Sequence, residues 1–334
     1  MSVSAPGSGA RRAAGLVLGF ALDAAVGDPA RWHPVAGFGG LAGRLEGLLY
    51  QRSRRAGAAH LAACLAAATV PASVVDRTVR RRAVDATGRL DATGASGEVV
   101  LVALTTWAVL GGRSLGRAAR RVGDAVEQDD LAAARSGLPS LCGRDPSFLD
   151  AAGLVRATVE SVAENTSDAV VAPLVWGAVA GVPGLVVYRA VNTLDAMVGH
   201  RSERYARFGT PAARLDDVLN YLPARLAAAL AVLAAPAVGG DPAAAVRAWR
   251  RDAAAHPSPN AGRVEAAFAG ALGVQLGGPV VYPYGAEVRP TLGDGRPVVP
   301  ADVRRAERLA TLVGVGALAV CAVAVVTSDR GRRR

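Results

Sequence analysis

Residues 159–225 read VESVAENTSDAVVAPLVWGAVAGVPGLVVYRAVNTLDAMVGHRSERYARFGTPAARLDDVLNYLPAR. The middle of this stretch decides the fold. From Asp168 to Tyr188 about twenty residues carry no charge between their ends, long enough for a helix to cross a bilayer. Pro173 and the run Gly181-Val182-Pro183-Gly184 interrupt that span. Such breaks occur in membrane helices where irregular backbone lines a buried site. The pattern predicts a helical hairpin over 168–198, broken near Val182-Pro183, that returns its two polar shoulders to one side.

Helical spacing gives the first shoulder its meaning. Glu160, Glu164 and Asp168 fall at i, i+4 and i+8 and stack along one face, with Ser161 and Asn165 on the adjoining stripe. Like charges at this spacing repel, so a cation or a basic ligand is their natural complement. A solvated helix face is the ordinary explanation of such a row. This one runs straight into an apolar segment, where carboxylates are costly and usually functional. The second shoulder holds Asn192, Asp195, Arg201, Glu203, Arg204, Arg214, Asp216, Asp217 and Asn220.

The whole chain has 334 residues, 51% hydrophobic, 4% aromatic and 20% charged, with a mean hydropathy of +0.26. That is too apolar for an ordinary soluble enzyme and too charged for a bare channel. Ala, Val, Leu and Gly supply the apolar content, which suits close-packed membrane helices. The expected fold class is therefore all-α, a polytopic membrane bundle with broken or re-entrant helices and a short extended segment near 280–295. Residues 1–10 read as a disordered N-terminus, 11–327 as one membrane-embedded domain, and 328–334 as a basic tail. Within the domain, 113–157 is a polar helical insert and 240–308 a polar substrate loop region.

Net charge is +10, and all 38 basic residues are Arg. Without Lys there is no Walker-type phosphate loop, so any phosphate clamp must be Arg. The Arg clusters flank apolar segments, which points to membrane surfaces and away from nucleic acid. Cys64, Cys142 and Cys321 are far apart and imply no disulfide framework.

In chain order, Arg11-Arg12 opens an uncleaved first helix ending near Gly27-Asp28-Pro29, followed by His33. Gly57–Val75 is a span candidate, Val99–Gly112 a shorter apolar arm. Leu222–Val238 is Ala-rich and is expected to turn back at Pro236 and Gly239-Gly240. Leu309–Thr327 is the cleanest span, and the basic tail after it predicts a cytoplasmic C-terminus. Before it, Ser258 or Asn260 can cap a helix running to about Leu272, and its N-terminus beside His256 is a plausible anion site. Gly277-Gly278-Pro279 is expected to end that helix, Val280 to Arg289 to be extended, and Gly293-Asp294-Gly295 to form a turn.

Several long strings together resemble the CobD/CbiB family of cobalamin biosynthesis, the adenosylcobinamide-phosphate (cobinamide) synthases. They are LDAAVGDPARWHPV (22–35), ESVAENTSDAVVAPLVW (160–176), YRAVNTLDAMVGHRSERYARFGTPAARLDDVLNYLPARL (188–226), HPSPNAG (256–262), EAAFAGALGVQLGGP (265–279) and LGDGRP (292–297). The resemblance covers roughly residues 16–310. His200 departs from it where an aromatic is expected, and Arg263 where Trp is expected. It implies a multi-pass enzyme of the cell membrane whose active site faces the cytoplasm. It implies an acid–amine ligase, an amide synthase joining the propionate f side chain of adenosylcobyric acid to (R)-1-aminopropan-2-ol or its O-phosphate, with ATP and Mg²⁺. The implied partners are the corrinoid, aminopropanol phosphate, the lipid bilayer and other corrinoid-pathway membrane enzymes, with no nucleic acid.

The residues are compatible with that chemistry. Amide formation needs an activated carboxylate, cations around the transferring phosphoryl group, and a base for the incoming ammonium. Glu160, Glu164, Asp168 and His256 are the expected catalytic groups. Asp195, Asp216 and Asp217 offer the hard oxygens that Mg²⁺ requires. Asp28, His33, Asn165, Asn192, Arg201, Arg204, Arg214, Asn220, Ser258 and Asn260 are the expected substrate contacts, with the amine phosphate near the three Arg and the corrinoid near His256–Gly262. An intramembrane Mg²⁺-dependent prenyltransferase is the rival enzyme reading, suggested by Asn192–Asp195 and Asp216–Asn220. A non-catalytic membrane regulator or transporter is the rival outside enzymes.

Overall fold

The computed structural model describes residues 7–28, 33–82, 92–200, 202–282 and 285–332. The elements are α1 (Ser8–Val26), α2 (Pro34–Leu49), α3 (Arg54–Arg82), α4 (Ala92–Val109), α5 (Gly112–Glu127), α6 (Leu131–Gly137), α7 (Ala151–Thr166), α8 (Ala172–Val198), α9 (Tyr205–Phe208), α10 (Thr210–Leu219), α11 (Tyr221–Ala234), α12 (Pro242–Asp252), α13 (Ala261–Leu272), β1 (Leu276–Tyr282), β2 (Gly285–Leu292) and α14 (Ala301–Arg332). Among the described residues five helical stretches are long and apolar enough to cross a membrane: Arg54–Arg82, Gly94–Glu127, Ala151–Val198, Tyr221–Val238 and Ala301–Gly331. The protein is an all-α, multi-pass membrane bundle with one small sheet.

A single embedded domain was the expectation. The described chain instead forms two compact units, each assembled from separated segments. The first takes Met1–Gly111, Ala172–Leu219 and Leu318–Arg334; the second takes Gly112–Val171 and Asn220–Ala317. Ser8 to Ala10, expected in a disordered N-terminus, already belong to α1, and residues 1–6 lie outside the described residues.

In the first unit α1 and α4 run parallel. Arg11 meets Glu98 at 2.6 Å. A Cβ on Gly15 would fall 2.5 Å from Val102 Cβ, and one on Gly19 2.4 Å from Thr106 Cβ. Small residues every fourth position let the two backbones approach closely, the usual basis of helix association in lipid. Arg80, from the end of α3, also reaches Glu98 (2.9 Å) and pairs with Asp76 (2.9 Å).

The hairpin is present. Ala151–Val198 contains 48 residues, about 70 Å if straight and more than twice a bilayer core. Inside α8, Gly181 leaves the helical region with φ 64° and ψ −142°, a conformation that favours glycine. The chain then doubles back: a Cβ on Gly184 would fall 2.1 Å from the Trp176 carbonyl oxygen, and one on Gly177 2.9 Å from Leu185 Cδ2. Eight residues of straight helix would hold these pairs about 12 Å apart. The first arm's last carbonyls have lost their helical donors. Arg12 supplies substitutes, donating from Nη1 to the oxygens of Ala178 (2.9 Å) and Val179 (3.4 Å).

These contacts give the first unit two ends. One holds the start of α1, the ends of α3 and α14, and the Gly181 turn; Ser8 Oγ there donates to Asp329 (3.1 Å). The other holds the start of α3, where a Cβ on Gly57 would fall 1.8 Å from the Phe208 carbonyl oxygen. Gly57 and Arg80 are about 35 Å apart along α3, a bilayer thickness.

The second unit is built around α13. Ala261, Gly262 and every residue from Val264 to Leu272 are buried, because Ala and Gly let α11 and α12 close on it. The expected polar loop region at 240–308 thus contains the core helix of this unit. That helix ends at Gly273 in the left-handed conformation (φ 65°), not at Gly277-Gly278-Pro279. Gly277 and Gly278 instead open β1 with positive φ, and β1 pairs antiparallel with β2. The extended segment is thus a hairpin that starts a few residues before Val280. The Ala-rich segment stops where expected: α11 runs into a 3₁₀ turn at Ala235–Val238, Gly239 is left-handed, and Asp241 caps α12. Arg305 of α14 donates to the Val238 and Leu272 carbonyls (3.0 and 2.8 Å), closing both helix ends.

Candidate active site

α7 brings the first shoulder into the second unit. Asp150 caps the helix by accepting from Gly153 N–H at 2.7 Å. Thr158, Ser161 and Thr166 return their hydroxyls to the carbonyls four residues back, and Asn165 donates to Ser161 O at 2.9 Å. Thr166 ends the regular helix, and Ser167–Val171 forms a π turn, a form often found at functional sites. The expected row of three carboxylates is therefore cut short. Its straight part is Glu160 and Glu164; Asp168 lies in the π turn.

Glu160 is 1% exposed. Its Oε1 accepts the Gly277 N–H at 2.6 Å, and its Oε2 meets Arg144 Nη2 at 2.5 Å. One turn on, Glu164 is half-buried. Facing them from α13 is Glu265, 1% exposed, with neither carboxyl oxygen hydrogen-bonded. His256 Nε2 lies 3.6 Å from Glu265 Oε1 and Arg289 Nη1 lies 3.9 Å from it. Burial, then the charges of Glu160 and Glu164, hold the Glu265 carboxyl well above its ordinary range, against Arg289 and Arg144.

The HPSPNAG loop positions the imidazole. His256 Nδ1 lies 3.1 Å from the Ser258 N and 3.3 Å from the Ser258 O. The Arg289 guanidinium can only donate, so the neutral ring accepts at Nε2 and carries its proton on Nδ1. Burial first, and Arg289 second, push His256 down to about 4. Arg289 Nη1 stands 3.3 Å from Nε2. Ser258, not Asn260, caps α13, its Oγ accepting from Ala261 N–H at 3.1 Å. Asn260 accepts from Arg225 at 3.3 Å. Arg156 donates to Pro279 O at 3.2 Å in an exposed contact. Asn220 is buried at the start of α11.

The second shoulder lies in the first unit. Asn192 donates to Asp216 at 3.4 Å and accepts from Arg189 at 3.3 Å. Asp195 folds over Gly199. Burial raises the Asp217 carboxyl, opposed by the exposed Arg214. Arg204 donates to Glu46 Oε1 from Nε (3.2 Å) and Nη2 (2.9 Å) and lies 4.1 Å from the centre of the Tyr50 ring. His200 stacks edge-on against Tyr205 at 4.9 Å, filling the aromatic role its position implies. His33 caps α2 by accepting from Val35 N–H and stands 3.7 Å from Asp28. Arg201 lies outside the described residues.

The Mg²⁺ expectation can be tested on donor chemistry. Among the described residues no three or more His, Cys, Asp or Glu side chains gather as a metal site. Mg²⁺ commonly takes only one or two carboxylates, with substrate phosphates completing its shell. Asp216, next to Asn192, is of that kind.

Sequence reasoning missed Glu265, Arg144, Arg156, Arg289 and Glu46. Glu265 carried a signal: it is a single acid in the apolar string EAAFAGALG, where the argument used for Glu160 holds equally. Arg144 was read only as part of a chain break.

The architecture is that of a multi-pass helical membrane protein with a buried acid–histidine–arginine centre. The chain belongs to the CobD/CbiB family, whose model, described as "CobD/Cbib protein", matches residues 16–310. It is 53% identical over 319 residues to the cobalamin biosynthesis protein CobD of Mycobacterium tuberculosis strain H37Rv, covering 96% of this chain and 97% of that one. It is 43% identical over 303 residues to the protein of that name from Chromobacterium violaceum, covering 88% and 90%. For that of Geobacter metallireducens the figures are 42% over 318 residues, 92% and 94%. No solved structure matches.

Proposed function

We propose that this chain is a cobalamin-biosynthetic enzyme that forms an amide between the f-propionate of adenosylcobyric acid and (R)-1-aminopropan-2-ol O-phosphate, using ATP and Mg²⁺. The observation that carries the reading is the buried centre of the second unit. It sets three carboxyl groups (Glu160, Glu164, Glu265) and His256 beside two guanidinium groups (Arg144, Arg289). A ligase acting through an acyl phosphate needs both kinds of group: cations for the phosphoryl oxygens and a proton acceptor for the ammonium. With no Lys in the chain, the guanidiniums take the cationic part, and their planar fork suits phosphate. Mg²⁺ bound with the nucleotide would neutralise phosphate charge.

The corrinoid is bulky and water-soluble, so the active site faces the cytoplasm on this reading.

The test is purified protein in nanodiscs with adenosylcobyric acid, Mg-ATP and aminopropanol phosphate, with mass detection of the amide and measurement of ADP. Equal amounts of amide and ADP are expected. Amide without nucleotide consumption, or neither product from folded protein, would overturn the reading.

A further inference from the structure

We propose that Glu265 is a further catalytic residue of the amide-forming reaction, the group that receives the ammonium end of the amine and takes its proton. The inference rests on the ligase reading above. Glu265 is the one acid of α13, a helix buried on almost every side. Both its oxygens are shielded from solvent and neither has a hydrogen-bond partner. Leaving a buried polar group unpaired is expensive, and such groups persist where a ligand completes them. The charged and titratable groups around it are Glu160 and Glu164 of α7, Arg289 of β2, Arg144 of the segment before α7, and His256. The two guanidiniums have other partners close by. Arg144 is engaged by Glu160, and Arg289 stands nearer His256 than Glu265. What the carboxyl lacks is a compact cation with several N–H donors. A primary ammonium is that cation. Solvent reaches the cluster at half-buried Glu164 and at Arg289, 15% exposed.

In the empty site, burial and the neighbouring carboxylates keep a proton on Glu265. An entering cation favours the carboxylate, and that proton leaves to water. The bound R–NH₃⁺ then passes one proton to a Glu265 oxygen, giving R–NH₂ and the neutral acid. The nitrogen lone pair forms the C–N bond to the acyl carbon of the acyl phosphate. The acyl C–O bond breaks, and phosphate departs with that electron pair and takes the second nitrogen proton.

The test uses full-length protein in nanodiscs and two nucleophiles, aminopropanol phosphate and hydroxylamine, which is already neutral at neutral pH and needs no base. Glu265→Gln keeps the shape and removes the acceptor. The expected result is a fall of about 100-fold in kcat with the amine, within the range for a lost general base. The fall with hydroxylamine should be at least tenfold smaller, and the acid limb of the amine pH profile should disappear. Equal losses with both nucleophiles would mark Glu265 as structural and overturn the proposal, as would an unchanged amine rate. Failure of the ligase reading looks different: wild-type protein would then make neither amide nor hydroxamate.

Discussion

The two units treat the same pair of residue types in opposite ways. In the first, Arg204 is 54% exposed, doubly bonded to Glu46 and stacked on Tyr50. In the second, Arg144 and Glu160 are 7% and 1% exposed, and Glu265 beside them has no hydrogen bond at all. Solvent screens the Arg204 head although Glu46 itself is buried, and a screened pair contributes little. A buried charge must be compensated, and its loss is severe. The contrast separates groups that hold a surface together from groups whose environment changes their chemistry. It also redirects attention from the Arg-rich string 201–214, the most conspicuous in the sequence, to single charges in Ala-rich helices.

The sharpest test of the comparison is all-or-none. Single cysteines at Ser202 and Ser328, in a background lacking the native thiols, should label from opposite faces of the membrane. Both lie in the first unit, at its opposite ends. Labelling of both from one face would mean that α3 and α14 do not span as described.

Next in size is Glu160→Ala. It takes the Glu160 carboxylate from buried Arg144 and removes the acceptor of the Gly277 N–H. Removing one partner of a buried pair costs about 3–5 kcal/mol, and a large fall in the unfolding midpoint in detergent should report it. A midpoint unchanged within error would show that Arg144 finds water or another acceptor.

A third test exploits the opposed titrations of His256 and Glu265. His256 has a folded value of about 4 against an ordinary 6.5. Between those values the unfolded state binds more protons, so this group makes stability rise with pH and its contribution is lost on acidification. Glu265 is raised above its ordinary 4.5. There the folded state binds more protons, and stability falls as pH rises toward the raised value. In the native protein the two oppose each other from pH 4.5 to 6.5. Glu265→Gln should unmask a rise of the order of 3 kcal/mol at most, and His256→Gln should unmask a fall. Denaturation at graded pH reads both; identical slopes in the two variants would refute the pairing.

The smallest effect belongs to Arg204→Ala, expected to lower amide synthesis by no more than about twofold, because the Arg204 head is open to solvent and Tyr205 still donates to Glu46 at 2.8 Å. A tenfold or greater rise in KM for aminopropanol phosphate would restore Arg204 to the phosphate-binding role that sequence reasoning assigned it.

The hairpin was legible because its cause is local. Gly181, Pro183 and Gly184 crowd helix-weakening residues into one short run, and the close approach of Gly177 and Gly184 needs only the chain between them. The Glu160–Glu164 row was legible for the same reason, through helical periodicity. Its end at Asp168 was not, because a π turn leaves no mark in the spacing. The helix after HPSPNAG was seen, with its end near Leu272, yet its setting was misjudged. EAAFAGAL is as suitable for a surface helix as for a fully enclosed one, and only α11 and α12 closing over it decide between them.

Fold class and the central reversal thus follow from the sequence alone: an apolar all-α chain too charged to be a channel, a break in the run from Gly181 to Gly184, and family strings spread from residue 16 to 310. Tertiary structure alone decided which charges matter. Glu265, His256, Arg144 and Arg289 lie in separate segments, and their shared burial comes from folding around α13. Removal from water is what turns Glu265 into an acid that keeps its proton and His256 into a base that stays neutral. No spacing in a one-dimensional chain carries that information, because desolvation belongs to a place in the fold and not to a residue.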